Sequence, residues 1–188
     1  MTAEINQQNR FHPRKFALYL GIASMLMLFA AFTSAFLVRK GQGNWQLFYL
    51  PTIFWFNTAV ILLSSFTIHR ALVSFRRLEE GKYKLWLTIT FILGCTFLIG
   101  QYIGWEQLSA GGIHLNGNPS GSFLYVISGA HAVHIAGGLL IMLITMMKVF
   151  FKPFNPSKQV NVEMMAIYWH FVDVLWIYLF IFFQINLT

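Results

Sequence analysis

The sequence predicts an all-α fold: a polytopic membrane protein built as an antiparallel bundle of five transmembrane helices. Three observations carry that prediction. First, 57% of the 188 residues are hydrophobic and only 10% are charged, with a mean hydropathy of +0.61, whereas soluble domains carry about 25% charged residues. Second, the apolar residues collect into five stretches, at about 16–38, 47–68, 85–105, 123–149 and 166–187, each near the roughly 20 residues that a helix needs to cross a bilayer. Third, these runs are continuous and lack the alternation of a barrel strand, so only helices satisfy their backbone groups in hydrocarbon. Five crossings with short connections use up the chain, which reads as a single membrane domain over 1–188.

Helix one is too long for a signal-peptide core and runs into Arg39 and Lys40 rather than a small-residue cleavage site, so it is expected to stay as a true span. Its polar residues are Ser24, Thr33 and Ser34. Helix two carries Asn57-Thr58 and Ser64-Ser65, residue types that hydrogen-bond across helix interfaces. Helix three holds the single cysteine, Cys95, which excludes an intramolecular disulfide and reads as a packing residue. It ends Gly100-Gln101-Tyr102-Ile103-Gly104-Trp105-Glu106-Gln107, with Glu106 the only acidic residue on that side of the membrane, expected to cap the helix or anchor a loop. Trp105, Glu106 and Trp169 are read as interfacial residues. In helix four Ser128, His131 and His134 recur at three-residue steps before Gly137-Gly138, so they share a face that another helix can approach closely. Helix five contains Tyr168-Trp169-His170-Phe171-Val172-Asp173-Val174-Leu175-Trp176, with His170 and Asp173 on one face.

The connections set the orientation. The N-terminal tail has Arg10, Arg14 and Lys15, the second connection Arg70, Arg76, Arg77, Lys82 and Lys84, and the fourth Lys148, Lys152 and Lys158; only Arg39 and Lys40 lie opposite. Basic loops stay cytoplasmic, so the N-terminus is expected inside and the C-terminus outside. The formal charge of +7 is thus a topology signal, and nucleic-acid binding is not expected. The second connection, with Glu79 and Glu80 among its basic residues, is expected to extend helix two or three beyond the bilayer. The third, Glu106 to Ser122, is rich in glycine and holds Pro119; it is expected to be an ordered outer loop without a catalytic role.

Ionisable groups at membrane depth are costly and carry most of the information. From a rise of about 1.5 Å per residue, His134 lies roughly 16 Å below the outer end of helix four, His131 roughly 12 Å, and Asp173 roughly 10 Å from the inner end of helix five. Across a core of about 30 Å, Asp173 and His134 are then near one level. Asp173 is therefore expected to pair with a helix-four histidine, His134 before His131. The polar cluster His131, His134, His170 and Asp173 leaves several readings open. Di-haem ligation wants matched histidine pairs, and a metal site wants a fuller ligand shell. A proton relay is a third reading; the favoured one is structural, imidazole and carboxylate locking helix four to helix five. No catalytic, cofactor or metal residue is assigned.

The Tyr168–Trp176 string, read with Gly129-Ala130-His131-Ala132-Val133-His134, resembles the third subunit of cytochrome c oxidase. The resemblance covers most of the chain: Asn57-Thr58 with Ser64-Ser65-Phe66-Thr67, Phe97-Leu98 through Glu106, and Ser122-Phe123-Leu124-Tyr125 look like that family's next helices. It implies a five-helix bacterial form lacking the first two helices of longer members. It also implies an accessory subunit without its own redox cofactor, docked on the catalytic subunit I, with subunit II, where haem and copper reside. Family members bind phospholipid between helices, support proton uptake by the catalytic subunit and protect it during turnover; a larger respiratory supercomplex is a further partner. One departure stands out, since the family's membrane carboxylate after Ile-Ala-Ser is here Met25. The motifs read the same for a quinol oxidase. From another class, a free-standing proton channel or transporter using His131, His134 and Asp173 is the alternative.

Overall fold

The computed structural model describes residues 13–151 and 159–188, so Arg10, Lys152 and Lys158 of the orientation count lie outside the described residues. The described residues form five helices: α1 Pro13–Lys40, α2 Ile53–Arg76, α3 Glu80–Ala110, α4 Pro119–Phe151 and α5 Gln159–Leu187. All five are long and apolar enough to cross a membrane.

Local chemistry sets the helix ends. Pro119 opens α4 behind Asn118, whose Oδ1 accepts from the backbone N–H of Ser120 at 3.1 Å, an asparagine cap followed by proline in the first turn. At the end of α3, Gly112 takes a φ of +84°, a left-handed turn that suits glycine, while the N–H groups of Gly111 and Gly112 bond to the carbonyls of Gln107 and Ser109.

The helical boundaries depart from the hydropathy boundaries in three places. Residues 47–51 are apolar but not helical: α2 starts only after Pro51, and the Phe48 N–H instead donates to the carbonyl of Leu187 at 2.9 Å, fastening the first connection to the end of α5. The second connection is only 77–79, with α3 reaching back to Glu80; Lys82 pairs with Glu79 at 3.1 Å and Lys84 with Glu80 at 2.6 Å. The third connection shrinks to 111–118, because Glu106–Ala110 and Pro119–Ser122 are helical. Tyr125 Oη ties that loop down, its one hydrogen shared between the carbonyls of Trp105 and Ile113 at 3.0 and 2.9 Å.

Helices α2, α3, α4 and α5 close into a ring, each packed on its two neighbours, and α1 lies outside it against α4 and α5. The interior is aromatic. Phe54, Phe97, Trp169, Trp176 and Phe183 are all buried to 1% exposure or less.

Candidate functional site

Two tryptophans of α5 organise the interior, stacked one above the other at about two helical turns. The Trp169 indole N–H donates to Ser64 Oγ on α2 at 2.7 Å, and the Trp176 indole N–H to Thr58 Oγ1 at 3.1 Å. Each ring needs space that a glycine or a flat neighbour supplies. A Cβ on Gly94 would come within 2.9 Å of the Trp169 ring, and one on Gly138 within 3.1 Å. Trp176 lies against Phe97 with ring centroids 4.9 Å apart and against His131 at 5.3 Å. Trp169 is thus a core residue joining α2, α3, α4 and α5, and not the interfacial group that its position near one end of an apolar run suggests. Its indole hydrogen finds its partner inside the bundle. Trp105 remains half-buried near the C-terminal end of α3, where its N–H donates to Ser128 Oγ at 3.0 Å.

The expected Asp173–imidazole pair does not form. Both carboxylate oxygens of Asp173, which is 1% exposed, are without a hydrogen-bond partner, as are both ring nitrogens of His131. His134 is occupied elsewhere: its Nδ1–H donates to the Ala130 carbonyl at 2.7 Å, and its ring meets Phe29 of α1 edge-on at 5.7 Å. The α4–α5 seam is made instead by Tyr168, whose hydroxyl donates to the His134 carbonyl at 2.9 Å, and by Trp169 on Gly138. Depth arithmetic sets a level along the membrane normal but not a direction around the helix, and Asp173 is turned towards α2. There the Ser65 hydroxyl is its side-chain neighbour, and Ser65 Oγ lies 2.6 Å from His170 Nδ1. The four residues of the expected cluster therefore separate into His131 and His134 on the α4 side and His170 and Asp173 on the α2 side.

Glu106 lies on an exposed turn of α3 and caps nothing, since the helix continues to Ala110 and its last carbonyls are met by glycine N–H groups. Sequence reasoning passed over Glu163, which accepts from Lys15 of α1 at 2.8 Å and from Arg76 of α2 at 3.0 Å. A lone acid facing two basic helix ends was the available signal. Among the described residues, no three His, Cys, Asp or Glu side chains come together as a metal site.

Alongside these contacts, a cleft of about 350 Å³ opens between α1, α4 and α5, with Arg14, Lys148 and Asn161 among its polar lining and Leu18, Ile141 and Ile144 among its apolar lining.

Five spanning helices around a tryptophan-centred interior define an integral membrane protein of the helical-bundle class. Residues 12–186 match the family described as cytochrome c oxidase subunit III, and the chain belongs to that family. It is 32% identical to the cytochrome c oxidase subunit 3 of Thermostichus vulcanus over 90% of this chain and 86% of that protein. It is 27% identical to a probable cytochrome c oxidase subunit 3 of Mycobacterium tuberculosis over 96% and 91% of the two chains. A cytochrome bo(3) ubiquinol oxidase subunit 3 of Pseudomonas aeruginosa is 29% identical over 88% and 81%. The chain is thus an oxidase subunit III of the aerobic respiratory type, with the multi-pass character its five apolar helices require.

Proposed function

We propose that this chain is the non-catalytic third subunit of a bacterial haem–copper oxidase, seated in the cytoplasmic membrane against the catalytic subunit I and beside subunit II, with its N-terminus cytoplasmic and its C-terminus periplasmic. Haem and copper belong to those partners. The chain contributes packing, holds phospholipid at the flank of the catalytic subunit and supports its proton uptake. The family match supports the assignment to the complex, and the basic residues gathered at one end of the bundle support the orientation.

The single observation that carries the lipid role is the cleft between α1, α4 and α5. Arg14 and Lys148 offer positive charge at the level of headgroups, where a basic residue near an anionic membrane surface contributes about 1 kcal/mol. Leu18, Ile141 and Ile144 offer an apolar wall for an acyl chain. Cytochrome c is the favoured electron donor; the Pseudomonas aeruginosa relative, named as a ubiquinol oxidase subunit, makes quinol the second reading.

The test is purification through a tag on this chain in mild detergent, with an optical spectrum, subunit identification and lipid analysis of the product. Haem absorbance with a large catalytic subunit and co-purified phospholipid is the expected result. A colourless, solitary chain that conducts protons in liposomes overturns the reading in favour of a transporter.

A further inference from the structure

Asp173 is the one aspartate of the chain, and its carboxyl group lies buried in the membrane interior with neither oxygen hydrogen-bonded. Such a group is costly at membrane depth and marks a function unless it is paired. The residues beside it form a line. Exposed His69 on α2 has its ring 6.3 Å from that of half-buried His170 on α5. His170 Nδ1 is 2.6 Å from Ser65 Oγ, and the Ser65 hydroxyl neighbours the Asp173 carboxyl. His69 lies about two turns before Arg76 and Arg77 at the end of α2, so the line runs from the basic end of the bundle inwards.

We propose that Asp173 is a proton-binding site in exchange with the aqueous phase at that end through His170 and Ser65. A serine hydroxyl has one hydrogen to give. When His170 Nδ1 is unprotonated, that hydrogen is donated to the ring, and the carboxylate is left without a donor. When the ring takes up a proton and Nδ1–H donates to Ser65 Oγ, the serine hydrogen is freed to point at Asp173. Transfer then balances without any co-reactant. The Ser65 O–H hydrogen passes to the Asp173 carboxylate as the His170 Nδ1 proton passes to Ser65 Oγ, leaving neutral imidazole, an intact hydroxyl and a carboxylic acid.

The other elements packed on α5 offer no competing path. On α4, His134 is bonded to its own helix and His131 is enclosed by Phe29, Phe97 and Trp176. The spanning parts of α1 and α3, 16–38 and 85–105, contain no Asp, Glu, His, Lys or Arg. The inference goes beyond the accessory-subunit reading and does not depend on which partners the chain has.

The experiment uses the full-length chain in phospholipid bilayers, grown with carboxyl-labelled aspartate, so that an isotope-shifted infrared band reports this residue with no variant required. A protonated-acid band that appears as the pH falls and exchanges with deuterium is expected. Ser65→Ala should keep the fold and the band but slow the exchange by about tenfold or more. Ser65→Thr should restore the rate, and His170→Phe should slow it again. A purely structural hydroxyl would not move that rate. Exchange in Ser65→Ala at the wild-type rate overturns the proposal, as does an Asp173 that stays a carboxylate throughout; if Ser65→Ala fails to fold, the His170→Phe rate decides by the same criterion.

Discussion

Helix α1 and the α2–α5 ring draw on packing and polar ties in different proportions. In the most apolar window of α5, 50% of residues are buried, against 17% in that of α1. The ring is fastened by interlocking aromatic rings seated on glycines. Helix α1 is fastened to α5 by three polar ties spread along its length: Lys15 to Glu163 at 2.8 Å, Tyr178 to Thr33 at 3.0 Å, and Lys40 to the Asn186 carbonyl at 2.9 Å. In lipid, apolar contact gives little preference for protein over acyl chain, so packing fit and hydrogen bonds decide association. Helix α1 seats two buried rings, Phe29 on His131 and His134 and Phe36 on Phe123 and Phe182, against a much larger aromatic interior in the ring, so it depends on its polar ties more than the ring helices do. The clefts flanking α1, one against α4 and α5 and a smaller one against Phe171, Val174 and Leu175, are the spaces that this mode of attachment leaves open.

The largest losses of stability are expected in the ring. Trp169→Ala should destabilise by about 3–5 kcal/mol, read by equilibrium unfolding in mixed micelles, while leaving the contacts of α1 to α5 in place. Gly94→Val should cost about 1–3 kcal/mol by overpacking, because its Cβ would meet Leu139 at 2.7 Å as well as Trp169; the same unfolding assay checks it. On the α1 side the effects are smaller. Tyr178→Phe removes one hydrogen bond within the membrane, about 0.6 kcal/mol, and should raise the rate at which a thiol reagent reaches a cysteine placed at Phe29. Glu163→Gln should have the least effect on stability, about 0–1 kcal/mol, since its partners Lys15 and Arg76 are 32% and 53% exposed. High salt should reproduce that effect in the wild type and add nothing in the variant.

The ring and α1 were not equally legible. All five helices follow from apolar runs, and Ser64, Thr58 and Ser128 were visible as hydroxyls suited to helix interfaces; their indole donors were not, since nothing in a single chain says which tryptophan faces which helix. Hydropathy also marks where a residue prefers to be, not the backbone it adopts. Residues 47–51 are apolar yet non-helical: Pro51 has no N–H to give a helix, and the Phe48 N–H is committed to the Leu187 carbonyl. Asp173 shows the same limit within the site: its level could be counted from the helix end, but its direction depends on Tyr168 and Trp169 taking the α4 seam. The ties of α1 lie 145 or more residues apart in sequence, beyond the reach of any local pattern.

The most direct test of this division is a pair of spin-label distance measurements in bilayers, one between Leu20 of α1 and Ile141 of α4, the other between Leu63 of α2 and Ile99 of α3, all exposed positions. Removing the three ties together, by Lys15→Ala, Thr33→Val and Lys40→Ala, should broaden the first distance distribution and leave the second unchanged. A first distribution that stays narrow, or a second that broadens with it, would contradict the account.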